Sequence, residues 1–220
     1  MTVNKQDDSQ FFLPGPSGLI ESRLTQPDEQ GALADKHLVV VICHPHPVHG
    51  GTMDNKVITT LERTYRDLGV TTVCFNFRGV GKSEGIFDNA VGEVDDLLAV
   101  IGWVNDQYPA SGLLLAGFSF GSSIAAQACY RVPNVRHLLL VAPPVERYSY
   151  DQAGHFPCAV IVVQGDRDER VNSAGVHTWI AGLKSPVESL RYEEASHFFH
   201  GYLTRLKQDL SPLILRHLGD

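Results

Sequence analysis

The sequence predicts one α/β domain with a mostly parallel central sheet and helices on both faces. Continuous aliphatic runs, such as residues 38–43 and 158–163, are typical of strands that are covered on both sides. Segments with apolar residues at helical spacing alternate with these runs along most of the chain. The 220 residues lie within the size range of one domain, and neither an internal repeat nor a long linker divides them. We therefore expect a single domain over residues 11–220.

The first third of the chain predicts a flexible start, a hairpin, and a helix between two strands. Residues 1–10 are polar and acidic, and we expect them to be flexible. The turn-forming sequence PGPSG separates two short apolar segments, as in a β-hairpin. Asp54 can cap a helix whose apolar residues recur at helical spacing, and Gly69 is a natural stop. The predicted elements are strands at 11–13, 19–25, 38–43 and 70–75, and a helix at 54–68.

The rest of the chain alternates helices with strands. Apolar residues at helical spacing predict a long amphipathic helix with Asp88 or Asn89 near its start. Pro212 should break or kink the last helix, because proline lacks a backbone donor and its ring clashes with the preceding turn. The predicted elements are strands at 113–116, 135–142, 159–164 and 187–192, and helices at 91–104, 124–130, 176–183 and 202–214.

Composition and charge disfavour several classes of function. Acidic residues outnumber basic residues by 25 to 18, and the formal net charge of −7 disfavours binding to nucleic acid or to an anionic membrane surface. The N-terminal residues lack the apolar segment of a secretory signal, and no aliphatic run approaches the length of about 20 residues that a membrane span needs. The four cysteines form no CxxC pair, which favours free thiols and a cytoplasmic protein; they are Cys43, Cys74, Cys129 and Cys158.

The segment around Ser119 carries the clearest sign of chemistry. Gly117-Phe118-Ser119-Phe120-Gly121 is a GxSxG motif that stands directly between a predicted strand and a predicted helix. On so sharp a turn the serine hydroxyl stands clear of the sheet, and the glycines avoid a collision. The first N–H groups of the helix face any negative charge that develops there. The pattern indicates a nucleophilic serine, against the alternative of a glycine-rich connection with an idle serine.

Two candidate acids and two candidate bases follow the serine, which needs a base and a carboxylate to orient that base. Asp166 and Asp168 come directly after a predicted strand. His197 and His200 come after the next strand and before the last helix. Both pairs can approach the serine, because the carboxyl ends of parallel strands meet at one edge of a sheet. The residues alone leave either aspartate and either histidine open.

These motifs resemble those of the α/β-hydrolase family of serine hydrolases, over about residues 11–217. The sequence is especially similar to a small bacterial branch of the family that has no cap domain. That branch carries an HPHP–GGTMDNKV segment, which reads HPHPVHGGTMDNKV at residues 44–57. The resemblance implies the α/β-hydrolase fold without a cap. In agreement, the 16 residues at 143–158 are too few for a cap of two or three helices.

The resemblance also implies roles for the candidate residues. Ser119 would be the nucleophile, His197 the base and Asp168 the orienting acid, because the family carries GxxD after this strand and a small residue, His and Phe in the late loop. Asp166 would then be a loop-shaping carboxylate. His200 would lie on the first turn of the last helix.

The oxyanion of an acyl-transfer intermediate needs two hydrogen-bond donors. The geometry of the turn makes the backbone N–H of Phe120 one of them. Family enzymes carry an HGx sequence after the third strand, and His44-Pro45-His46 is the matching stretch, with proline in place of glycine. Because proline has no N–H, we expect the backbone N–H of His46 to be the second donor.

Two other groups of residues could indicate a metal site or a nucleotide-binding loop. His44, His46 and His49 could hold a metal, but the HxHxDH continuation of metallohydrolases is absent, and we expect no metal. The glycine-rich loop that contains Arg78 and Ser83 misses the spacing of nucleotide-binding loops, so we expect a structural role for both.

Together these features predict a cytoplasmic serine hydrolase of the esterase or thioesterase type that cleaves a small acyl substrate through an acyl-enzyme. We expect it to need no cofactor and to bind neither nucleic acid nor membranes. An amidase or peptidase would use the same residues. A non-catalytic binding module with this fold is the alternative from another class.

Overall fold

The computed structural model describes residues 9–219, and their centre is a sheet of eight strands. In chain order these are β1 (Ser9–Gly15), β2 (Gly18–Thr25), β3 (Leu38–Cys43), β4 (Thr71–Phe75), β5 (Gly112–Phe118), β6 (Val135–Val141), β7 (Ala159–Gly165) and β8 (Val187–Tyr192). Their spatial order is β1-β2-β4-β3-β5-β6-β7-β8. β2 pairs antiparallel with β1 and β4 and the other neighbours are parallel, which confirms the mostly parallel sheet. Of the residues expected to be flexible, 9 and 10 belong to β1 and 1–8 lie outside the described residues.

In residues 9–219, helices cover both faces of the sheet, as predicted. They are α1 (Lys56–Asp67), α2 (Gly92–Gln107), α3 (Phe120–Ala128), α4 (Ser173–Gly182) and α5 (Leu203–Leu218). α1 and α5 pack on one face, and α2, α3 and α4 pack on the other. Alternate residues of β3 enter the two cores: Val39 and Val41 join the α2–α3 side, and Val40 and Ile42 join the α1–α5 side. The aliphatic run is therefore a strand that is buried on both faces.

The parallel strands end at one edge of the sheet, and the loops at that edge carry the candidate site residues. Cys43 at the end of β3 lies beside Gly117 near the end of β5. Gly165 at the end of β7 lies beside Tyr192 at the end of β8. The loops that follow these strands therefore open on the same side, where ligands collect in sheets of this kind.

The start of α1 differs from the prediction. The helix begins at Lys56, and the side chain of Asn55 accepts the N–H of Val57 at 2.9 Å, so the expected cap at Asp54 is wrong. The Asp54 carboxylate instead accepts a hydrogen bond from Arg23 Nη1 at 2.6 Å. Arg23 is buried on β2, and a guanidinium that is removed from water needs carboxylate partners. A contact across the fold thus decides which residue caps the helix.

Two further helix starts depend on their loops. α3 begins at Phe120, four residues before the predicted start, because the turn at the serine leads directly into the helix. α2 begins at Gly92, and no side chain of Asp88 or Asn89 caps it. Instead Glu93 reaches back and accepts the backbone N–H groups of Asp88 and Ala90, each at 2.8 Å.

The last helix runs through Pro212 without interruption, so a break there is wrong, and a kink at Pro212 stays a prediction. Pro212 is exposed, on a helix whose other side is buried. The buried side chains are Leu206, Leu210, Leu213, Ile214 and Leu218. Burial of each contributes about 1.5–3 kcal/mol, and together they outweigh the cost of about 3 kcal/mol for a proline inside a helix.

Residues 143–158 contain no helix and have one isolated β-bridge, between Gln152 and His155. The predicted absence of a cap domain is therefore confirmed. In the part of the chain that the structure describes, no helix has the length and apolarity of a bilayer span.

Candidate active site

Ser119 stands on a strained turn between β5 and α3. Its φ of 53° and ψ of −121° lie in a region that residues with a side chain rarely adopt. Its backbone N–H donates to the carbonyl of Val141 at 2.8 Å and anchors the turn to β6. Such a turn lifts the serine hydroxyl above the edge of the sheet.

The two glycines of the GxSxG motif stand where no side chain fits. A Cβ on Gly117 would lie 2.3 Å from the carbonyl oxygen of Gly121. A Cβ on Gly121 would lie 2.3 Å from the carbonyl oxygen of Cys43. The turn is thus packed against its own helix and against the end of β3, which brings Ser119 close to the loop that carries His46.

Ser119, His197 and Asp168 form a continuous hydrogen-bonded chain. His197 Nε2 lies 3.1 Å from Ser119 Oγ, and His197 Nδ1 lies 2.8 Å from Asp168 Oδ2. His197 is 3% exposed and the Asp168 side chain is fully buried. Because a carboxylate can only accept, Nδ1–H donates to Asp168 and Nε2 is left to accept the serine proton. The arrangement can therefore move a proton from Ser119 to His197.

Asp168 is held as an anion. Its Oδ1 accepts the backbone N–H groups of Arg170 and Val171, each at 2.8 Å, and Gln164 Nε2 lies 3.3 Å from Oδ2. Burial alone would raise the pKa of Asp168, but the hydrogen bond and charge of His197 and the two backbone donors hold the pKa below its usual value. The carboxylate is therefore ionised at neutral pH and can fix the imidazole in one orientation.

His197 is held from two further sides. Its backbone N–H donates to Glu169 Oε2 at 3.1 Å. Its ring centroid lies 5.0 Å from that of Phe118 and 5.1 Å from that of Phe198. Glu169 is absent from the predicted site residues, and its place directly after Asp168 is the one sequence signal that could have indicated it.

Asp166 and His200, the alternative acid and base, are not part of the hydrogen-bonded chain of Ser119, His197 and Asp168. Asp166 accepts from Arg191 Nε at 2.5 Å and lies 2.8 Å from His177 Nε2, so it connects β8 to α4 beside the site. His200 is exposed in the turn that precedes α5, and its predicted place on the first turn of the helix is wrong. The helix begins later because Gly201, with a φ of 79°, turns the chain there.

The backbone N–H groups of Phe120 and His46 are the two candidate donors for an oxyanion site. Phe120 is the first residue of α3, and His46 precedes a 3₁₀ turn at Pro47–His49. Among the described residues, neither N–H donates to a protein acceptor. Both residues line the same cleft as Ser119. Their role as oxyanion donors stays a prediction.

His44, His46 and His49 do not form a ligand cluster. The buried His44 donates from Nδ1 to the carbonyl of Pro45 at 2.6 Å and accepts the N–H of Phe77 at Nε2 at 3.0 Å. The rings of His46 and His49 stack with centroids 4.4 Å apart. Over the part of the chain with described coordinates, no three His, Cys, Asp or Glu side chains are grouped as a metal would require.

Arg78 and Ser83 brace the loop that follows β4. Arg78 Nη2 donates to Asp96 of α2 at 2.7 Å, and both partners are buried. Ser83 Oγ donates to the carbonyl of Asn76 at 2.6 Å. The contacts are those of the expected structural role.

Acid should destabilise the fold, because two buried histidines resist protonation. Burial lowers the pKa of His44 to about 4 and the pKa of His137 to about 3. In the unfolded chain both titrate near about 6.5, so the unfolded state binds more protons below that pH and stability falls as the pH falls. Each histidine should remove about 1.4 kcal/mol of unfolding free energy per pH unit, from about 6.5 down to its folded pKa.

Urea unfolding at about pH 7.5 and about pH 5 measures this loss. His137→Asn removes one of the two groups and should reduce the loss by about half. Equal free energies of unfolding at the two pH values would contradict the expectation.

Ser119, His197 and the two candidate oxyanion donors line a cleft of about 310 Å³. This volume is at the lower end of the range of about 300–1,000 Å³ for small-molecule sites. The lining includes four residues that the sequence analysis did not single out as site residues: Arg147, Tyr148, Glu169 and Arg170. They lie in the loops after β6 and β7, and only the order of the strands brings these loops to the serine.

The chain is similar to several known proteins. A family model described as the alpha/beta hydrolase fold matches residues 39–157. The uncharacterized protein RP471 of Rickettsia prowazekii is 36% identical over 199 residues, which cover 86% of this chain and 82% of that protein. The structure of an alpha-beta serine hydrolase homologue from Coxiella burnetii is 43% identical, covers 96% of this chain and 99% of its own, and superposes with a TM-score of 0.88. The structure of XC6422 from Xanthomonas campestris, described as a serine hydrolase without lid, is 35% identical, covers 100% and 99%, and has a TM-score of 0.91.

Proposed function

The chain belongs to the α/β-hydrolase family, and on that basis we propose that it is a serine esterase or thioesterase that acts on a small acyl substrate. Ser119 is the nucleophile, His197 the general base and Asp168 the acid that orients it. One observation carries the proposal: the hydrogen-bonded chain of 3.1 Å from Ser119 Oγ to His197 Nε2 and 2.8 Å from His197 Nδ1 to Asp168 Oδ2. The serine hydrolases among the similar structures support it.

In the acylation half of the reaction, Ser119 Oγ attacks the carbonyl carbon while His197 Nε2 takes the hydroxyl proton. The new bond puts negative charge on the carbonyl oxygen, and the N–H groups of Phe120 and His46 stabilise that charge. The bond to the alcohol or thiol then breaks, and His197 gives its proton to the leaving group. Asp168 stabilises the imidazolium between the two proton transfers.

Deacylation repeats these steps with water in place of the serine. His197 takes a proton from water, and the resulting hydroxide attacks the acyl carbon of the Ser119 ester. The bond between the acyl carbon and Oγ breaks, Oγ recovers its proton from His197, and the carboxylic acid leaves. Neither half of the reaction calls for a cofactor.

Short acyl groups should be the preferred substrates, because no cap covers the cleft. Each buried CH₂ group contributes about 0.8 kcal/mol only where it is removed from water, and an open site buries few of them. Initial rates on aryl esters from acetyl to palmitoyl, with and without micelles, measure the preference. A kcat/KM that rises steadily to palmitoyl, or a jump in rate above the micelle threshold, would contradict the expectation.

Hydrolysis of three matched butyryl substrates, an aryl ester, an aryl thioester and an anilide, tests the proposed function. We expect turnover of the ester and the thioester, and no loss of rate with excess chelator. Turnover of the anilide at a comparable rate would instead favour an amidase. If the folded protein hydrolyses none of the three, the proposal is wrong and a non-catalytic binding module is favoured.

We also propose that the protein acts in the cytoplasm and that its partner is a small acyl molecule rather than a nucleic acid or a membrane. The four cysteines are free thiols, three of them buried, which supports a reducing compartment. The acidic net charge of −7 supports the second part.

A further inference from the structure

The side chains that line the cleft are more basic than the chain as a whole, and the ionised Asp168 lies buried behind His197. The chain has a formal net charge of −7. The side chains that line the cleft include two arginines, Arg147 and Arg170, and one carboxylate, Glu169. A cleft with an excess of positive charge on an acidic protein attracts anions selectively, because narrow sites concentrate the local field.

Arg147 is held at the mouth of the cleft by the loop after β6. Its backbone N–H donates to the carbonyl of Pro144 at 2.9 Å, and its Nη2 lies 3.4 Å from the carbonyl oxygen of Arg170. Burial, the neighbouring His49 and the charge of Arg147 lower the pKa of His46. Arg147 and His46 line the same cleft.

Arg170 stands beside the base. Its guanidinium carbon lies 5.2 Å from the ring centroid of Phe198, the residue after His197. Its backbone N–H donates to Asp168 Oδ1 at 2.8 Å, so the segment that carries it is fixed by the same carboxylate that orients the base. A guanidinium stacked on an aromatic ring keeps its N–H edge free for a ligand.

Neither arginine of the cleft is neutralised by a protein carboxylate within residues 9–219. The nearby acids are engaged elsewhere: Glu169 accepts the backbone N–H of His197 at 3.1 Å, and Glu146 accepts from Asn172 at 2.7 Å. Two cations thus face the cleft with hydrogen-bond donors that a substrate can use.

We propose that the cleft selects acyl substrates that carry a carboxylate or a similar anion, and that Arg147 and Arg170 bind this anion. The inference rests on the proposed function, and it adds the substrate class. Both arginines line the same cleft of about 310 Å³ as Ser119, so one small substrate molecule can carry both the anion and the scissile carbonyl. The anion belongs either to the acyl part or to the leaving group.

Two pairs of esters locate the anion. 4-Nitrophenyl hydrogen adipate and its methyl ester differ in one charge on the acyl part. The butyrate esters of 3-hydroxybenzoic acid and of its methyl ester differ in one charge on the leaving group. For each pair the measured quantity is the ratio of kcat/KM for the charged ester to kcat/KM for the neutral ester. The pair with the larger ratio identifies the part that carries the anion.

The ratio should fall by about tenfold in Arg147→Gln and in Arg170→Gln, since the loss of one charge-assisted hydrogen bond to the anion lowers affinity by about tenfold. Arg131→Gln is the matched control. Arg131 is an exposed arginine that lies after α3, at the end of the helix away from Ser119, and pairs with Asp95 at 3.2 Å. In this control the ratio should stay unchanged. Added salt should lower the ratio in the wild type, because it screens exposed charges.

A binding measurement separates this inference from the proposed function. Monomethyl adipate and dimethyl adipate are titrated into the Ser119→Ala protein and followed by ligand-observed NMR. We expect the monoanion to bind more tightly, and the additional Arg147→Gln or Arg170→Gln change to reduce the difference by about tenfold. Neutral esters that are hydrolysed, with ratios that neither substitution changes, would overturn the anion site alone. Selective binding of the monoanion without hydrolysis of any ester would overturn the proposed function alone.

Discussion

Replacing Ser119 with alanine should lower kcat by about 10⁶ and leave the fold intact, since removal of the nucleophile from such a unit has an effect of this size. The hydroxyl is the group that forms the acyl-enzyme, and within residues 9–219 no side-chain oxygen other than Ser119 Oγ lies at hydrogen-bond distance from His197 Nε2. Alanine fits the space but does not relieve the strained φ of 53°, so the melting temperature should change little. Turnover of a butyryl aryl ester measures the effect.

Ser123→Ala is the matched control for this substitution. Ser123 lies in α3, the helix that follows Ser119, and its Oγ donates to the carbonyl of Phe120 at 2.7 Å without contacting His197. Loss of that bond should cost about 1 kcal/mol of stability and leave turnover within about tenfold of the wild type. If the Ser119→Ala protein keeps more than a few per cent of wild-type turnover, the nucleophile is another residue.

Replacing Asp168 with asparagine should lower kcat by about 10⁴, as in a comparable triad. The carboxylate accepts the Nδ1–H of His197 at 2.8 Å. An asparagine amide can donate to Nδ1 instead, which puts the proton on Nε2 and leaves no acceptor for the serine hydroxyl.

Asp166→Asn provides the comparison for the acid. Asp166 contacts His177 and Arg191 rather than His197, so its loss should loosen the loop and lower kcat only slightly. The kcat values of both variants on one ester decide the assignment. Equal losses, or a larger loss at Asp166, would move the orienting acid by two residues.

Patterns that depend on neighbours in sequence were enough to predict much of the fold. β3 has the predicted bounds, because a strand buried on both faces must be apolar at every position. The GxSxG motif predicted a turn between β5 and α3, because only a strained turn needs glycines two residues on either side of Ser119. The loops that carry Asp168 and His197 were likewise predictable from their places after β7 and β8.

Features that depend on contacts across the fold were not predictable in this way. Asp54 fails as a helix cap because Arg23 of a distant strand binds it. Pro212 lies inside a helix because the packing of the opposite side outweighs its cost. Arg147 and Arg170 belong to loops that are far apart in sequence, and only the order of β6 and β7 in the sheet puts them in one cleft.

Covalent labelling with a fluorophosphonate tests the central claim, a reactive Ser119, most directly. The reagent is incubated with the folded protein, with the Ser119→Ala protein and with urea-unfolded protein, and each product is analysed by intact-mass and peptide mass spectrometry. The account predicts one phosphonyl group per chain, on the peptide that contains Ser119, in the folded wild-type protein only. Labelling at another residue, or no labelling of folded protein that hydrolyses esters, would contradict it.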